Sequence, residues 1–313
     1  MIPLFKNLSA TDLIVVAFAS ILSIINLIFI NVVDNWLTHI LLNSLLIIFV
    51  FTLAYYDKHL KNILLSQLHF WYLVPLIFLF FKEIYFMIQP IRGGDYDYIL
   101  IAADRFIFGA NPTELFYKIS NPYLTELLQI VYATFFFLPV ILGIVLILSQ
   151  RYSDFNYAAF IIVLGFFLSY FGYFIFPAIG PRFTLHNFAT NDLELPGLFL
   201  TKFLREIVNS GESIPTGTLN PALIVQRDVF PSGHTQMTLL VMYLSIRFKT
   251  KSRYFFIPDG TLLIFSTVYL RYHYVIDLIG GVIFMIATLW IGRIIYNKWM
   301  KFIGEPEYYY KSY

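Results

Sequence analysis

Cysteine is absent from the 313-residue chain. That excludes a disulfide framework, a thiolate metal site and a thiol nucleophile, and it leaves the redox compartment unreadable from cysteine usage. Charge is also scarce. Asp, Glu, Lys and Arg make up 13% of the residues against 59% hydrophobic ones, whereas a soluble domain carries about 25% charged residues. Such a balance points to lipid as solvent. The formal net charge of +2 comes without any continuous basic stripe, which sets nucleic acid aside as a partner. The chain also lacks an internal repeat strong enough to argue from and any low-complexity linker that would divide it.

What is present is a series of apolar runs. A bilayer core of about 30 Å needs roughly 20 helical residues. Runs near that length occur at 12–33, 36–56, 68–88, 124–149, 156–176, 233–249, 254–271 and 275–296, so eight membrane spans are expected. The first is too long for a signal-peptide core and has no small-residue cleavage pattern after it, so it is expected to be retained. With Lys6 placed in the cytoplasm, the basic loop residues Lys58, Lys61, Arg151, Arg247, Lys249, Lys251, Arg253, Lys298 and Lys301 all fall on that same side. Both termini are then cytoplasmic, and the long loop 177–231 and the turn at Arg271–His273 are extracytoplasmic, in a plasma or inner membrane.

Two connections are too long to be turns. The first contains Ala103-Asp104-Arg105-Phe106-Ile107-Phe108-Gly109, a mixture expected of a helix lying in the interface, either packing only or taking part in substrate entry. The second, 177–231, is rich in Gly, Pro, Ser and Thr near 209–221 and carries an apolar piece at Leu198–Val208, as lids and binding loops often do. The Tyr308-Tyr309-Tyr310 tail is expected at the membrane interface.

Ionisable residues at the ends of membrane spans are costly and therefore point to function. In Phe230-Pro231-Ser232-Gly233-His234-Thr235, the Pro, Ser and Gly punctuate a helix N-terminus, whose free N–H groups favour a phosphate. Ser232 and the Gly233 N–H can donate to phosphate oxygens, and His234 can exchange a proton with a leaving group. An ordinary helix cap with a histidine beside it fits the same residues. His273 and Asp277 are four apart and share one helical face. A carboxylate there fixes one ring nitrogen and leaves the other as a nucleophile, as in hydrolase triads, although a plain helix contact is the alternative. Arg182, in Phe176-Pro177-Ala178-Ile179-Gly180-Pro181-Arg182, suits the two parallel bonds that grip a phosphate; alone, it reads equally as an interfacial arginine. A His/His/Asp metal site is chemically open but lacks close ligand spacing.

In combination, Pro-Ser-Gly-His, an upstream Arg after a span and a downstream His-x-x-x-Asp resemble the three motifs of the type 2 phosphatidic acid phosphatase (PAP2) superfamily. That resemblance implies an all-α, polytopic membrane protein whose spans include a six-helix core with the motifs at one membrane face. It also implies roles: His273 attacks phosphorus to give a phospho-histidine, Asp277 orients it, His234 protonates the departing oxygen, and Arg182, Ser232 and Gly233 hold the phosphoryl oxygens, with no metal and no cofactor. The expected organisation is N-terminal transmembrane helices over 1–90, a catalytic region over 91–300 and a C-terminal tail over 301–313.

The chain departs from the common lipid-phosphatase pattern at two cationic positions, which hold Ile175 and Thr267. Arg271 and Arg227 are candidates to supply the missing charge. The segment Ser266–Gly281 and the Ala103–Pro112 segment are similar to the inositol phosphorylceramide synthases, and the resemblance covers roughly 95–290. It implies a phospholipid donor in the membrane, with a lipid hydroxyl or water as acceptor. A polyprenyl diphosphate or phosphatidate phosphatase and a non-catalytic lipid-binding or lipid-translocating protein are the alternative readings.

Overall fold

In the computed structural model, which describes residues 2–310, regular structure is helical, with one short 3-10 turn and no strand among the described residues. Each apolar run is helical, and the run at 124–149 falls on two helices. Five helices among the described residues are long and apolar enough to cross a membrane: Ala10–Ile28, Trp36–Leu60, Ile63–Arg92, Tyr152–Ile175 and Val275–Ile303. Pro122–Ala133 and Phe137–Leu148, bent by 53° at a short break, make a sixth if the pair is one span. The runs at 233–249 and 254–271 form the helices Gly233–Arg247 and Arg253–Tyr269, of 15 and 17 residues. At 1.5 Å per residue these reach about 23 and 26 Å, less than the ~30 Å hydrocarbon core. Local chemistry sets their ends. Ser232 caps the first by accepting from Thr235 N at 3.2 Å, and the second stops where Arg271 takes a left-handed backbone with φ of 68°.

The described residues pack as two units. One comprises the residues up to Gly93, Leu146–Leu168 and those from Ala287 onward. A reciprocal capping box between Ser9 and Asp12 opens its Ala10–Ile28 helix. Its core is aromatic, with Phe18 stacked on Phe167 at 4.1 Å and Phe80 edge-on to Phe18 at 5.0 Å. The buried Asp12, Asn26 and Asn43 are paired within it. His69 bridges Asp12 at 2.9 Å and Asp57 at 2.7 Å, and Asn26 and Asn43 both donate to Glu83. The tyrosine tail differs from the expected interfacial anchor. Tyr308 is buried, stacks on Tyr157 at 4.1 Å and donates to Asp154 at 2.7 Å. The buried Asp154 carboxylate needs donors, and a tyrosine supplies one while filling apolar space. Of the three tyrosines only Tyr309 is exposed, and residues 311–313 of the tail lie outside the described residues.

The other unit, Gly94–Val145 with Ser169–Ile286, contains the Pro-Ser-Gly-His motif, Arg182 and the His273/Asp277 pair. The surface segment forms the helix Asp97–Phe108, with Phe106 almost fully exposed and Asp97 and Asp104 buried on its other side. The 177–231 connection is structured rather than irregular: short helices at Pro181–Thr184, Asn191–Glu194 and Pro221–Ile224 accompany the longer Thr201–Gly211. Glu126 anchors that longer helix. Its carboxylate accepts from the backbone N–H groups of Leu198, Phe199, Leu200 and Thr201 and from the Thr201 hydroxyl, so a negative charge sits on the free N–H groups of a helix start. Gly281 lets the Val275–Ile303 helix lie against the start of Gly233–Arg247; a Cβ there would come within 2.8 Å of the Ser232 carbonyl.

Candidate active site

Ser232 is fully buried at the N-cap of Gly233–Arg247, and its backbone N–H donates to the Asp277 carbonyl at 3.0 Å. That bond ties the Pro-Ser-Gly-His motif to the first turn of the helix bearing Asp277. His273 lies just before that helix, its backbone N–H donating to the Thr267 carbonyl at 3.0 Å. The chain thus folds back on the end of Arg253–Tyr269 and projects the imidazole toward His234.

His273 sits between the other two ionisable residues of these motifs. Its Nδ1 is 3.4 Å from Asp277 Oδ2, and its Nε2 is 3.3 Å from His234 Nδ1. Asp277 Oδ2 also accepts from Tyr274 N at 2.8 Å, while Asp277 Oδ1 is buried with no hydrogen-bond partner among the described residues. When Nδ1 bears the proton facing Asp277, Nε2 holds the lone pair and His234 Nδ1–H donates to it. Burial pushes the His273 imidazole down to about 4; Asp228 and the Val229 carbonyl oppose that shift and Arg182 adds to it. The ring is accordingly neutral near pH 7, as a nitrogen nucleophile must be.

Arg182 is buried in the short Pro181–Thr184 helix, and its backbone N–H donates to the Arg271 carbonyl at 3.1 Å. An aromatic column runs from this arginine to His234. The Arg182 guanidinium carbon is 4.8 Å from the Tyr272 ring, Tyr272 stacks on Tyr132 at 4.4 Å, and Tyr132 stacks on His234 at 4.7 Å. Phe135 packs on the same imidazole at 4.2 Å. Gly233 lies beside a further hydroxyl, for a Cβ there would come within 2.5 Å of Tyr173 Oη.

The structure thus brings Ser232, Gly233, His234, His273, Asp277 and Arg182 into one locality. The other two arginines are engaged elsewhere. Arg271 is fully buried and pairs with Glu194 at 2.5 Å, with Asn191 at 3.4 Å. Arg227 pairs with Asp95 at 3.2 Å and donates to the carbonyls of Val225, Leu223 and Ala222. At the two positions that are cationic in the common pattern, Ile175 is two-thirds exposed, and the buried Thr267 donates its hydroxyl to the Ile264 carbonyl.

Several groups in the site carry no signal of their own in the sequence. Tyr132, Tyr272, Phe135 and Asp228 belong to apolar or loop stretches whose side-chain directions depend on tertiary packing. Asp97 and Asp104 did have a signal. Seven residues apart on one helix, they share a face, and both are used. Asp97 accepts from Ile179 N, Gly180 N and Tyr274 Oη, and Asp104 from Val275 N and Ile276 N. One surface helix therefore holds both the loop leading to Arg182 and the turn leading to Asp277.

Residues 99–291 match the family model of the PAP2 superfamily, and the chain belongs to that superfamily. Its members are membrane-associated and generally phosphatases, and with the long apolar helices this makes the chain an integral membrane protein and, at that coarse level, a lipid-type phosphatase or phosphotransferase. Neither curated proteins nor solved structures show a match.

Proposed function

We propose that the chain is an inositol phosphorylceramide synthase-like phosphotransferase that acts on a membrane phospholipid through a phospho-histidine on His273, at the extracytoplasmic face. The observation that carries this reading is the placement of His273 between Asp277 at Nδ1 and His234 at Nε2. In the first step the Nε2 lone pair forms a bond to phosphorus, the bond from phosphorus to the diacylglycerol oxygen breaks, and His234 supplies the proton that this oxygen takes up. In the second step His234 accepts the proton of an incoming hydroxyl, whose oxygen bonds to phosphorus as the P–N bond breaks. Arg182, Ser232 and the Gly233 N–H hold the non-bridging oxygens throughout. Arg271 and Arg227, tied to Glu194 and Asp95, act by fixing the surrounding loops.

Transfer is favoured over hydrolysis by burial. His273 and Arg182 are 4% and 3% exposed, and a site that excludes water leaves the covalent intermediate to a lipid hydroxyl. The missing cations at Ile175 and Thr267 support the same choice over a phosphatidate or polyprenyl diphosphate phosphatase, because a diester brings less negative charge than a monoester or a diphosphate.

The test is incubation of the purified protein with a panel of phospholipids, with and without ceramide or diacylglycerol, followed by mass analysis. A new phospholipid formed only with acceptor present is expected; release of free phosphate regardless of acceptor would replace the transferase with a phosphatase. His273→Ala should abolish the covalent intermediate while the protein still inserts in the membrane, and full turnover in that variant would remove His273 from the mechanism.

A further inference from the structure

Arg182 does not face the site with its hydrogen-bonding edge free. Nη1 donates to Asn209 Oδ1 at 3.0 Å, and Nη2 pairs with the carboxylate of Glu212. The rings of Phe183 and Tyr272 both lie 4.8 Å from the guanidinium carbon. Asn209 is in the last turn of the Thr201–Gly211 helix, and Glu212 is its C-cap. The start of that helix is pinned by the five bonds to Glu126 described above. Its middle is held by Arg205, which reaches Asp192 at 2.7 Å and the Leu195 carbonyl at 2.8 Å. Its far end meets the site at Arg182.

A phosphate gripped by one arginine uses two parallel N–H donors. A carboxylate has the same planar fit and the same sign of charge, so the two compete for one edge of the guanidinium. Leaving a buried guanidinium without a counter-charge is strongly unfavourable, so one anion has to replace the other rather than leave ahead of it.

We propose that Glu212 is a resident counter-ion of Arg182 that the substrate's phosphate displaces, which makes Glu212 a determinant of phosphate affinity in this site. The proposal rests on the reading of Arg182 as a phosphate ligand. Admission of phosphate is then an exchange in which the Glu212 carboxylate moves off the guanidinium and the end of the Thr201–Gly211 helix moves with it. No bond other than ion pairs and hydrogen bonds changes.

The experiment is calorimetric titration of inorganic phosphate into the full chain in detergent, which needs no turnover. Glu212→Gln keeps the shape of the side chain and removes its charge, and its Kd for phosphate should be about tenfold or more below that of the unaltered protein. Arg182→Gln should lose the binding. A Kd in Glu212→Gln equal to or above that of the unaltered protein overturns the proposal, and binding indifferent to Arg182→Gln overturns it by removing its premise. Both outcomes are separate from the fate of the phospho-histidine, which is followed through His273. A second measurement leaves Glu212 in place. Because the chain has no cysteine, Ser210→Cys carries a single spin label on the exposed end of the helix. Saturating phosphate should change its mobility, and an unchanged spectrum overturns the exchange.

Discussion

Asp104 receives the backbone N–H of Ile276 at 2.8 Å, and its other oxygen receives that of Val275 at 2.9 Å. These are the first two residues of the Val275–Ile303 helix, and Asp277 follows directly. A carboxylate brought from a distant surface helix therefore does what an N-cap side chain ordinarily does. It satisfies free N–H groups and places negative charge at the positive end of a helix.

Asp104→Ala leaves two donors unmatched next to Asp277. The expected cost is about 2 kcal/mol of stability, as for loss of a charged cap. It should appear as a lowered midpoint of thermal unfolding in detergent, together with slower formation of the covalent intermediate. Asp104→Asn still offers an acceptor and should lose less on both counts. Equal loss in both variants would mean that the carboxylate acts through its charge alone.

The histidine at the centre of the site makes stability depend on pH in a defined direction. Burial lowers His273 from 6.5 to about 4. The unfolded chain therefore binds a proton between those values that the folded chain does not, and stability rises with pH across that window. It is fully present above about pH 6.5 and is lost as pH falls toward 4. His186 is shifted the same way, to about 4, by burial and then by Arg271, so the two contributions add. Unfolding midpoints measured from pH 4 to 8 should fall on the acid side, and less steeply in His273→Gln. The acid limb of turnover set by His273 should likewise lie near 4 rather than 6.5.

What could be read from the sequence was whatever is coded by spacing. The four-residue step from His273 to Asp277, the Pro-Ser-Gly punctuation before His234 and the apolar runs depend on helix geometry alone, and each corresponds to a local feature of the structure. Arg271 shows where such reading stops. Two residues before His273 it invites a role at the phosphate, yet its left-handed backbone and its pairing with Glu194, 77 residues away in sequence, turn it to the loop. Helix lengths at 233–249 and 254–271 were equally out of reach, because the ends are fixed by Ser232 and by the turn at Arg271 rather than by where hydropathy falls. Glu212 gave no sign at all: its meaning arises only from its contact with Arg182.

Tyr132 provides the sharpest test of the aromatic column. It comes from the Pro122–Ala133 helix, just before the bend, and separates His234 from Tyr272, which in turn contacts Arg182. The groups read as general acid and phosphate clamp are thus kept in register by the faces of two rings. Tyr132→Leu retains apolar volume and loses the flat surface, so the His234 ring is free to tilt away from Nε2 of His273. A misplacement of about 1 Å can cost on the order of 100-fold in rate. The expected result is a fall in kcat of that order with KM changed far less, since Arg182 keeps its contact with the Phe183 ring. Tyr132→Phe preserves the stack and should restore most of the rate. If the phenylalanine variant is as impaired as the leucine variant, the hydroxyl and not the ring face is what the site requires, and the column is not the positioning device.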